Sequence, residues 1–376
     1  MGRVNYPYES FNSGYLSPQL QGRTNKGFEP RNRGLRTALN MAVLAEGPAI
    51  RRGGTEFIIE VDDSSKKHRV VKFEFSETQA YALDFGDQTM RVMKDGGIVA
   101  SGASPVSFAT PWQSEDLDDL YFTQSADVLF VAHPDYEPRT ITRSSHVDWT
   151  IDKYDRDDGP YLDTNTDETK TFTPAATTGT GVALSATGHT PLVASDVGRH
   201  LRLKHSSTWG YGVIASVTAS NAGTIDIIND FGATTATSDW RLGAWSETTG
   251  WPHCSTIHQG RFAWGATDSE PQTFWLTRSA DYYDFAPTET DGSVTDSNGI
   301  TLTLGAAEVN FIRGMVSSDY LVVTTVGGEW RVVTPSNEPL SPTNGSTRQD
   351  TSIGSDNVQP VRFGTDTLFV QRQGKK

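Results

Sequence analysis

The sequence predicts a mainly β protein with an N-terminal β-sheet platform, partial β-propeller-like blades and an inserted small β-barrel. The first observation is composition: 35 Gly among 376 residues and 10% aromatic side chains, with 9 Trp, 12 Tyr and 17 Phe. Aromatic residues favour strands, and frequent Gly, Asp and Ser favour the turns between them. The second observation is a strand pair that recurs along the chain.

The clearest strand pair lies in Gly243–Phe285, where Arg261–Gly265 and Thr273–Arg278 flank a turn-rich loop. Similar pairs are Asp127–Val131 with Pro138–Arg143 and Asp319–Thr325 with Glu329–Val333, and Asp366–Arg372 begins another. Asp319 and Asp366 are 47 residues apart, a period typical of propeller blades. A β-sandwich with similar hairpins is the alternative, because evenly spaced strands suit both architectures.

The N-terminal part, residues 1–115, is predicted to be an arm followed by the platform. Leu35, Leu39, Ala42 and Val43 have helical spacing, so a short helix over 34–44 is possible. The platform strands should alternate apolar and polar residues, so that Phe73 and Phe75 share one face of their strand, as do Tyr81, Leu83 and Phe85 of theirs, in a sheet with one buried face. They are predicted at Glu56–Asp62, Val70–Phe75, Gln79–Gly86 and Thr89–Gly97.

Three further regions follow the platform. Residues 116–169 should form the first blade and an acidic linker, with a helical turn at Ser114–Leu120 capped by Ser114. Residues 170–245 change to a Thr, Ala, Ser and Gly-rich composition with short strands, which favours the inserted barrel. Residues 246–376 should hold further blades that end in an incomplete one.

Two features of this middle region have alternative interpretations. Asp163, Asn165 and Asp167 have the spacing of a calcium loop, but Glu168 stands where that loop needs Gly, so a solvated acidic linker is favoured. Trp209, Trp240 and Trp245 could stack on sugars, although buried tryptophans are the favoured interpretation.

Several function classes are disfavoured by the residues present. The net charge of −14 suits neither specific nor tight binding of nucleic acid, but it is compatible with a wall past which DNA slides.

Metal and redox chemistry is also disfavoured. Cys254 is the single cysteine, so no internal disulfide or cysteine-based metal site is expected. His253 and His258 should lie on opposite strand faces, which disfavours a metal ion shared between them. Nucleophile-elbow, zinc-protease, Walker and dinucleotide motifs are absent, so we expect a non-enzymatic protein without cofactors. Neither a secretory signal nor a membrane span is predicted.

Ordered motifs along the chain resemble the tail tubular protein B (nozzle) proteins of short-tailed phages and their prophage relatives. They are FNSGYLSPQLQGR at Phe11–Arg23, GPAIRRGGTEF at Gly47–Phe57, QSADVLFVAHP at Gln124–Pro134, DGPYLDTN at Asp158–Asn165, the segment Trp240–Phe262, SEPQTFWLTRS at Ser269–Ser279 and FVQRQG at Phe369–Gly374. Residues Ala194–Trp245 also resemble a small barrel named after a domain of the ubiquitin-activating enzyme, which implies a shape and no ubiquitin chemistry.

The resemblance implies a structural virion protein of the phage tail, assembled in the host cytoplasm. Such nozzles form a homo-hexameric ring below the adaptor, help to anchor fibres or spikes, and line the channel through which genomic DNA leaves. The resemblance carries over no catalytic residue. A receptor- or glycan-binding tail protein is the alternative function, and a capsule-degrading enzyme the third.

The interface hypotheses concern both ends of the chain. Arg23, Arg51 and Arg52 could anchor the N-terminal segment to an acidic neighbouring subunit, or could be ordinary surface arginines. Family members usually continue beyond the equivalent of Gln371–Gly374, so either a second polypeptide completes the fold, or this sequence is a fragment or a shortened variant. An incomplete propeller exposes a sheet edge, so a strand from a partner is expected to pair with the edge at Phe363–Gln371. The residues expected to mediate that contact are Phe363, Leu368 and Phe369.

Overall fold

The structure is a computed structural model that describes residues 10–18, 33–306, 310–335 and 338–372. The chain divides into two compact units, Met1–Ile59 and Glu60–Lys376. The described part of the first unit holds one hairpin, β1 (Met41–Val43) and β2 (Ala49–Arg51). The helix predicted over 34–44 is therefore wrong. Asn40 adopts a left-handed φ of 56° just before β1, and Leu39 is exposed, so its apolar side chain stabilises no helix.

The second unit begins with the platform, a five-stranded antiparallel sheet. Its order is β3-β4-β5-β6 with β9 on β5, and β7 and β8 form a separate pair. The strands are β3 (Arg69–Ser76), β4 (Gln79–Gly86), β5 (Thr89–Lys94), β6 (Gly97–Ile98), β7 (Ala100–Ser101), β8 (Ser104–Pro105) and β9 (Ser107–Ala109).

Two platform predictions need correction. Glu56–Asp62 is not a strand. Its apolar residues Phe57 and Ile58 are exposed, so they are not packed on a sheet face as the alternating pattern predicted. Phe73 is buried, but Phe75 is exposed. The Arg143 guanidinium lies over the Phe75 ring, with 3.8 Å between its Cζ and the ring centre. An irregularity in the β3–β4 pairing between Glu74 and Ser76 separates the environments of these two phenylalanines. Tyr81, Leu83 and Phe85 are all buried, as predicted.

The first blade is a four-stranded antiparallel meander preceded by a single 3₁₀ turn, η1 (Asp116–Asp118). The predicted cap is wrong: Glu115 holds the N-cap position, and the Ser114 hydroxyl donates to the Glu115 carboxylate instead. The strands are β10 (Tyr121–Ser125), β11 (Val128–His133), β12 (Tyr136–Arg143) and β13 (Trp149–Lys153). One face of this blade packs on the platform and the other on the later blades, so the sheet is buried on both sides.

The inserted barrel is a six-stranded sheet of order β14-β15-β18-β17-β16-β19. Its elements are β14 (Thr171–Pro174), β15 (Val182–Thr187), the 3₁₀ turn η2 (Ala194–Asp196), β16 (His200–His205), β17 (Thr208–Ala219), β18 (Ala222–Asn229) and β19 (Trp240–Leu242). A bridge between Phe172 of β14 and Thr237, just before β19, joins the two ends of the sheet. The sheet therefore curls around its own apolar core, as a small barrel does.

Two more four-stranded meanders follow and form the second and third blades. The second blade contains β20 (Cys254–His258), β21 (Arg261–Gly265), β22 (Thr273–Leu276) and β23 (Ile300–Thr303); the third contains β24 (Ile312–Ser317), β25 (Leu321–Thr325), β26 (Glu329–Val333) and β27 (Ser346–Thr351). Both blades contribute side chains to one apolar core. Within it, Trp245 packs edge-on against Trp264 and Trp275 of the second blade. Three meanders of the same topology confirm the propeller-like, mainly β architecture.

A C-terminal hairpin, β28 (Val361–Phe363) and β29 (Asp366–Leu368), follows the third blade. The prediction that Asp366–Arg372 is the first strand of a hairpin is wrong, because this segment begins with the second strand. Gly364, with a φ of 63°, lies in the tight turn between the two strands.

Candidate functional site

The edge strands of the three blades meet at a central junction formed by β10, β20 and β24. Side chains rather than sheet hydrogen bonds connect them. The Tyr121 hydroxyl donates to the Met315 carbonyl at 2.8 Å and accepts from the Met315 N–H at 3.2 Å. Thr123 bonds Ser255 at 2.9 Å, and His258 Nδ1 lies 2.9 Å from the Ser317 hydroxyl. The Tyr121 hydroxyl therefore satisfies both backbone groups of Met315 on the β24 edge, which would otherwise offer a template for another strand.

A strap of chain before β28 covers a further part of this junction. The Gln359 amide donates to the Phe122 carbonyl at 2.8 Å and accepts from the Phe122 N–H at 3.4 Å, so one side chain occupies both backbone groups of the β10 edge. Pro360 packs where Gly314 has no side chain: an added Cβ would lie 2.5 Å from the proline ring. Sequence reasoning missed Tyr121 and Gln359, and no local pattern marks either as an edge cap.

The C-terminal hairpin presents an apolar face to solvent. Val361 and Leu368 are directly opposite in the register, and Phe363 lies on the same face two residues along β28. Their exposed fractions are 55%, 51% and 70%. Phe369 is half-buried, so the structure separates it from the exposed members of the predicted interface.

The backbone of the predicted edge is partly paired within the chain. Gln371 forms a bridge with Ser355, the Val370 carbonyl accepts from the Asp356 N–H at 2.8 Å, and the Arg372 N–H donates to Gly354 at 2.9 Å. One side of Val370–Arg372 is therefore occupied. The surface that remains for a partner is the exposed face of Val361, Phe363 and Leu368, and pairing with a second chain stays a prediction.

The predicted arginine anchors lie in the N-terminal unit. Arg51 ends β2 and Arg52 follows it, and both side chains are exposed. Arg23 lies outside the described residues. Residues 1–59 contain eight Lys and Arg against four Asp and Glu, whereas the whole chain has a charge of −14. This unit is therefore basic in an acidic protein, which favours contacts with acidic surfaces.

Eight of the nine tryptophans are buried in this structure. Trp209 and Trp245 are buried, as are Trp112, Trp149, Trp251, Trp264, Trp275 and Trp330. Trp240 is half-buried and stacks on His189 with ring centroids 5.1 Å apart. A glycan platform needs exposed, neighbouring aromatic faces, so the burial of Trp209 and Trp245 disfavours that interpretation.

The calcium-like spacing has a local structural role. The Asn165 amide donates to the carbonyls of Asp167 and Ser238, and the Asp167 carboxylate accepts from the Thr169 N–H at 3.0 Å. Asp167 also forms an ion pair with Lys170 at 3.2 Å. Among the described residues, no three His, Cys, Asp or Glu side chains are grouped so that they could hold a metal ion.

Buried titratable groups of the second blade are held in their neutral forms. Burial lowers the pKa of His258 from 6.5 to about 4, and burial also lowers the pKa of His253. Burial raises the pKa of the Cys254 thiol, which therefore stays protonated and unreactive. No helix in the described part of the chain has the length and the apolar run needed to span a bilayer.

A tight turn joins β20 to β21, and the residue that follows it, Arg261, connects several segments of the second blade. Gln259 and Gly260 both have positive φ, the signature of a tight hairpin turn between β20 and β21. Arg261 is buried and donates to the carbonyls of Thr277 and Asn298, each at 2.7 Å. The Pro271 carbonyl accepts from the Ile312 N–H at 3.0 Å, which ties the second blade to the third.

Comparison with known proteins gives a limited result. No family model matches the chain, and no curated protein matches it. Among solved structures, the chain is similar to the WD40 repeats of RRP9, with 8% sequence identity, a TM-score of 0.25, and coverage of 79% of this chain and 87% of that one.

Proposed function

We propose that this chain is a structural subunit of the tail nozzle of a short-tailed phage. In this proposal, six copies form a ring that joins the adaptor to the distal tail, anchors fibres or spikes, and lines the DNA exit channel. The protein works by shape and assembly rather than by catalysis. It belongs in the virion, and the DNA passes its acidic surface without specific binding.

The burial of the tryptophans is the observation that supports this proposal over a glycan-binding protein. Large aromatic side chains sit inside the blades and the barrel, where they stabilise the fold and are not available to stack on sugars. The motif SEPQTFWLTRS, which contributes to the resemblance, places Phe274 and Trp275 in this core. Its Pro271 makes the inter-blade hydrogen bond, so the motif residues serve packing.

Assembly is the property to test first. The purified chain should be measured by native mass spectrometry over a range of concentrations, with negative-stain class averages of the same samples. Because a heterologous interface closes through a fixed rotation, we expect a ring of six copies. If the chain stays monomeric, the measurement is repeated with the product of the neighbouring gene as a template. A monomer under both conditions would overturn the proposal.

A further inference from the structure

Three cationic side chains gather on the outer face of the inserted barrel. In β16 and β19, Leu201, Leu203 and Leu242 point into the barrel core, so Arg202, Lys204 and Arg241 point outward. The Arg202 and Arg241 guanidinium carbons and the Lys204 Nζ lie 5.1, 5.8 and 5.7 Å from the centre of the Trp209 ring. They form a single cluster, which we call the barrel cation cluster.

The arrangement within this cluster is unfavourable without a counterion. Arg202 and Arg241 are directly opposite one another in the register of the two strands, and like charges in that position repel. Burial, and after it the charge of Arg202, lower the pKa of Arg241. In a chain with a net charge of −14, carboxylates are abundant, so composition does not account for this concentration of cations.

The carboxylates of the chain offset only part of this charge. Asp158 lies 3.9 Å from Arg202 Nε, too far for a hydrogen bond. Asp163 acts on Arg241 electrostatically, but within the described residues neither Arg241 nor Lys204 has a carboxylate oxygen within 4 Å. Two of the three cations therefore have no close ion pair.

Donor groups of the cluster also remain available. Arg202 is 3% exposed and its Nη2 donates to the Thr288 carbonyl at 2.9 Å, but its buried Nε has no hydrogen-bond partner. The Arg241 Nε donates a hydrogen bond to the Thr164 hydroxyl at 2.5 Å. Arg241 and Lys204 are half-buried, so a small ligand from solvent can reach the cluster.

We propose that the barrel cation cluster binds a phosphate-like oxyanion between Arg202, Lys204 and Arg241. With Asp158 ionised, the cluster has a formal charge of +2, which a phosphate dianion would neutralise. Guanidinium groups are suited to such an anion because they donate two parallel hydrogen bonds to its oxygens. This site is independent of the proposed assembly function.

The test uses inorganic phosphate as the probe with the full-length chain. Calorimetric titration at constant ionic strength, with chloride as the reference salt, should show saturable binding of phosphate. Phosphate should also raise the melting temperature, because it binds the folded chain. The variant Lys204→Gln/Arg241→Gln should bind phosphate at least tenfold more weakly. Lys72→Gln/Arg348→Gln, which removes two exposed cations outside the barrel, is the matched control and should bind like the wild type.

Three results would overturn the proposal. One is equal phosphate binding by the wild type and by Lys204→Gln/Arg241→Gln, provided that both give the same far-ultraviolet circular dichroism. Another is a wild-type chain that responds to phosphate no more than to chloride. A single-stranded oligonucleotide forms a separate arm, because its phosphodiesters are a second source of oxyanions. Binding of the oligonucleotide without binding of phosphate would also reject the site as proposed.

Discussion

Trp264 and Trp275 face each other across β21 and β22 and are almost completely buried. Trp245 packs edge-on against both, with ring centroids 5.8 and 5.7 Å away. Replacing either residue with Ala leaves a large cavity among side chains that cannot collapse into it. We expect each variant to lose about 3–5 kcal/mol of unfolding free energy, measured by urea denaturation.

Trp240→Ala is the comparison for this prediction, because Trp240 is half-buried at one end of the barrel. It should lose clearly less than either core variant. A loss below about 1 kcal/mol for Trp264→Ala would contradict the aromatic core described here. The double variant Trp264→Ala/Trp275→Ala should lose less than the sum of the single losses, since the two residues are in contact.

His258 links the second and third blades and should make stability depend on pH. Its folded pKa of about 4 lies below the unfolded value of 6.5, so the unfolded chain binds more protons between these values. Stability should therefore fall as the pH is lowered from 6.5 to 4. Because one pKa unit corresponds to about 1.4 kcal/mol, the expected contribution is roughly 3 kcal/mol.

Asp284 acts in the opposite direction, so the pH effect of His258 must be isolated by a variant. Burial raises the pKa of Asp284 to about 6, and its folded carboxyl gains a proton, and with it stability, as the pH falls. The variant His258→Asn should show a smaller loss of unfolding free energy between pH 7 and pH 4 than the wild type. His189→Asn, in the barrel, is the control. Equal losses in wild type and His258→Asn would refute the prediction.

At the scale of elements, the blade edges at the central junction are capped within the chain, whereas the C-terminal hairpin leaves a face exposed. At the central junction, Tyr121 and Gln359 satisfy edge groups with side chains from within the chain. At the C-terminal hairpin, Val361, Phe363 and Leu368 leave an apolar face in solvent. Soluble proteins seldom expose such a face unless it has a partner. The hairpin is therefore the element through which we expect the chain to assemble.

Charge on this hairpin face should block assembly without unfolding the chain. The variant Phe363→Asp/Leu368→Asp changes two exposed side chains, so its unfolding free energy should change by less than about 1 kcal/mol. The oligomer should be lost, because desolvating two unpaired carboxylates in an apolar contact is costly. Native mass measures the outcome.

The control for the hairpin variant is Val70→Asp, which adds a carboxylate at an exposed apolar position of the platform. This control should assemble like the wild type. If Phe363→Asp/Leu368→Asp forms the same oligomer in the same yield, the hairpin face is not an assembly surface.

At the scale of the whole molecule, the strand pairs of the blades could be predicted from the sequence, but the contacts between residues far apart in the chain could not. The pairs of the blades were recognisable because aromatic and β-branched runs ended at Gly, Pro and Asp turns. Glu56–Asp62 has the same alternation but forms no strand, because pairing depends on partners distant in the sequence. The edge caps Tyr121 and Gln359 act across 194 and 237 residues, a separation that no local pattern encodes.

If copies of the chain form the proposed ring, the charge distribution of the whole chain favours one mode of contact between them. The basic residues 1–59 and the acidic remainder have formal charges of +4 and −18. If the N-terminal unit of one copy contacts the acidic surface of its neighbour, association should weaken as salt is raised, because exposed charges are screened over about 8 Å at physiological ionic strength. Ring formation should therefore decrease steadily with sodium chloride.

Reversing the charge of Arg51 and Arg52 tests this association directly. The variant Arg51→Glu/Arg52→Glu should assemble at least tenfold more weakly at low salt, and its assembly should respond less to added salt, as measured by sedimentation velocity. Lys72→Glu/Lys153→Glu makes the same change in net charge on the second unit and should retain most of the salt response. If both variants lose assembly equally, net repulsion between acidic chains is the cause, and the two arginines have no specific role.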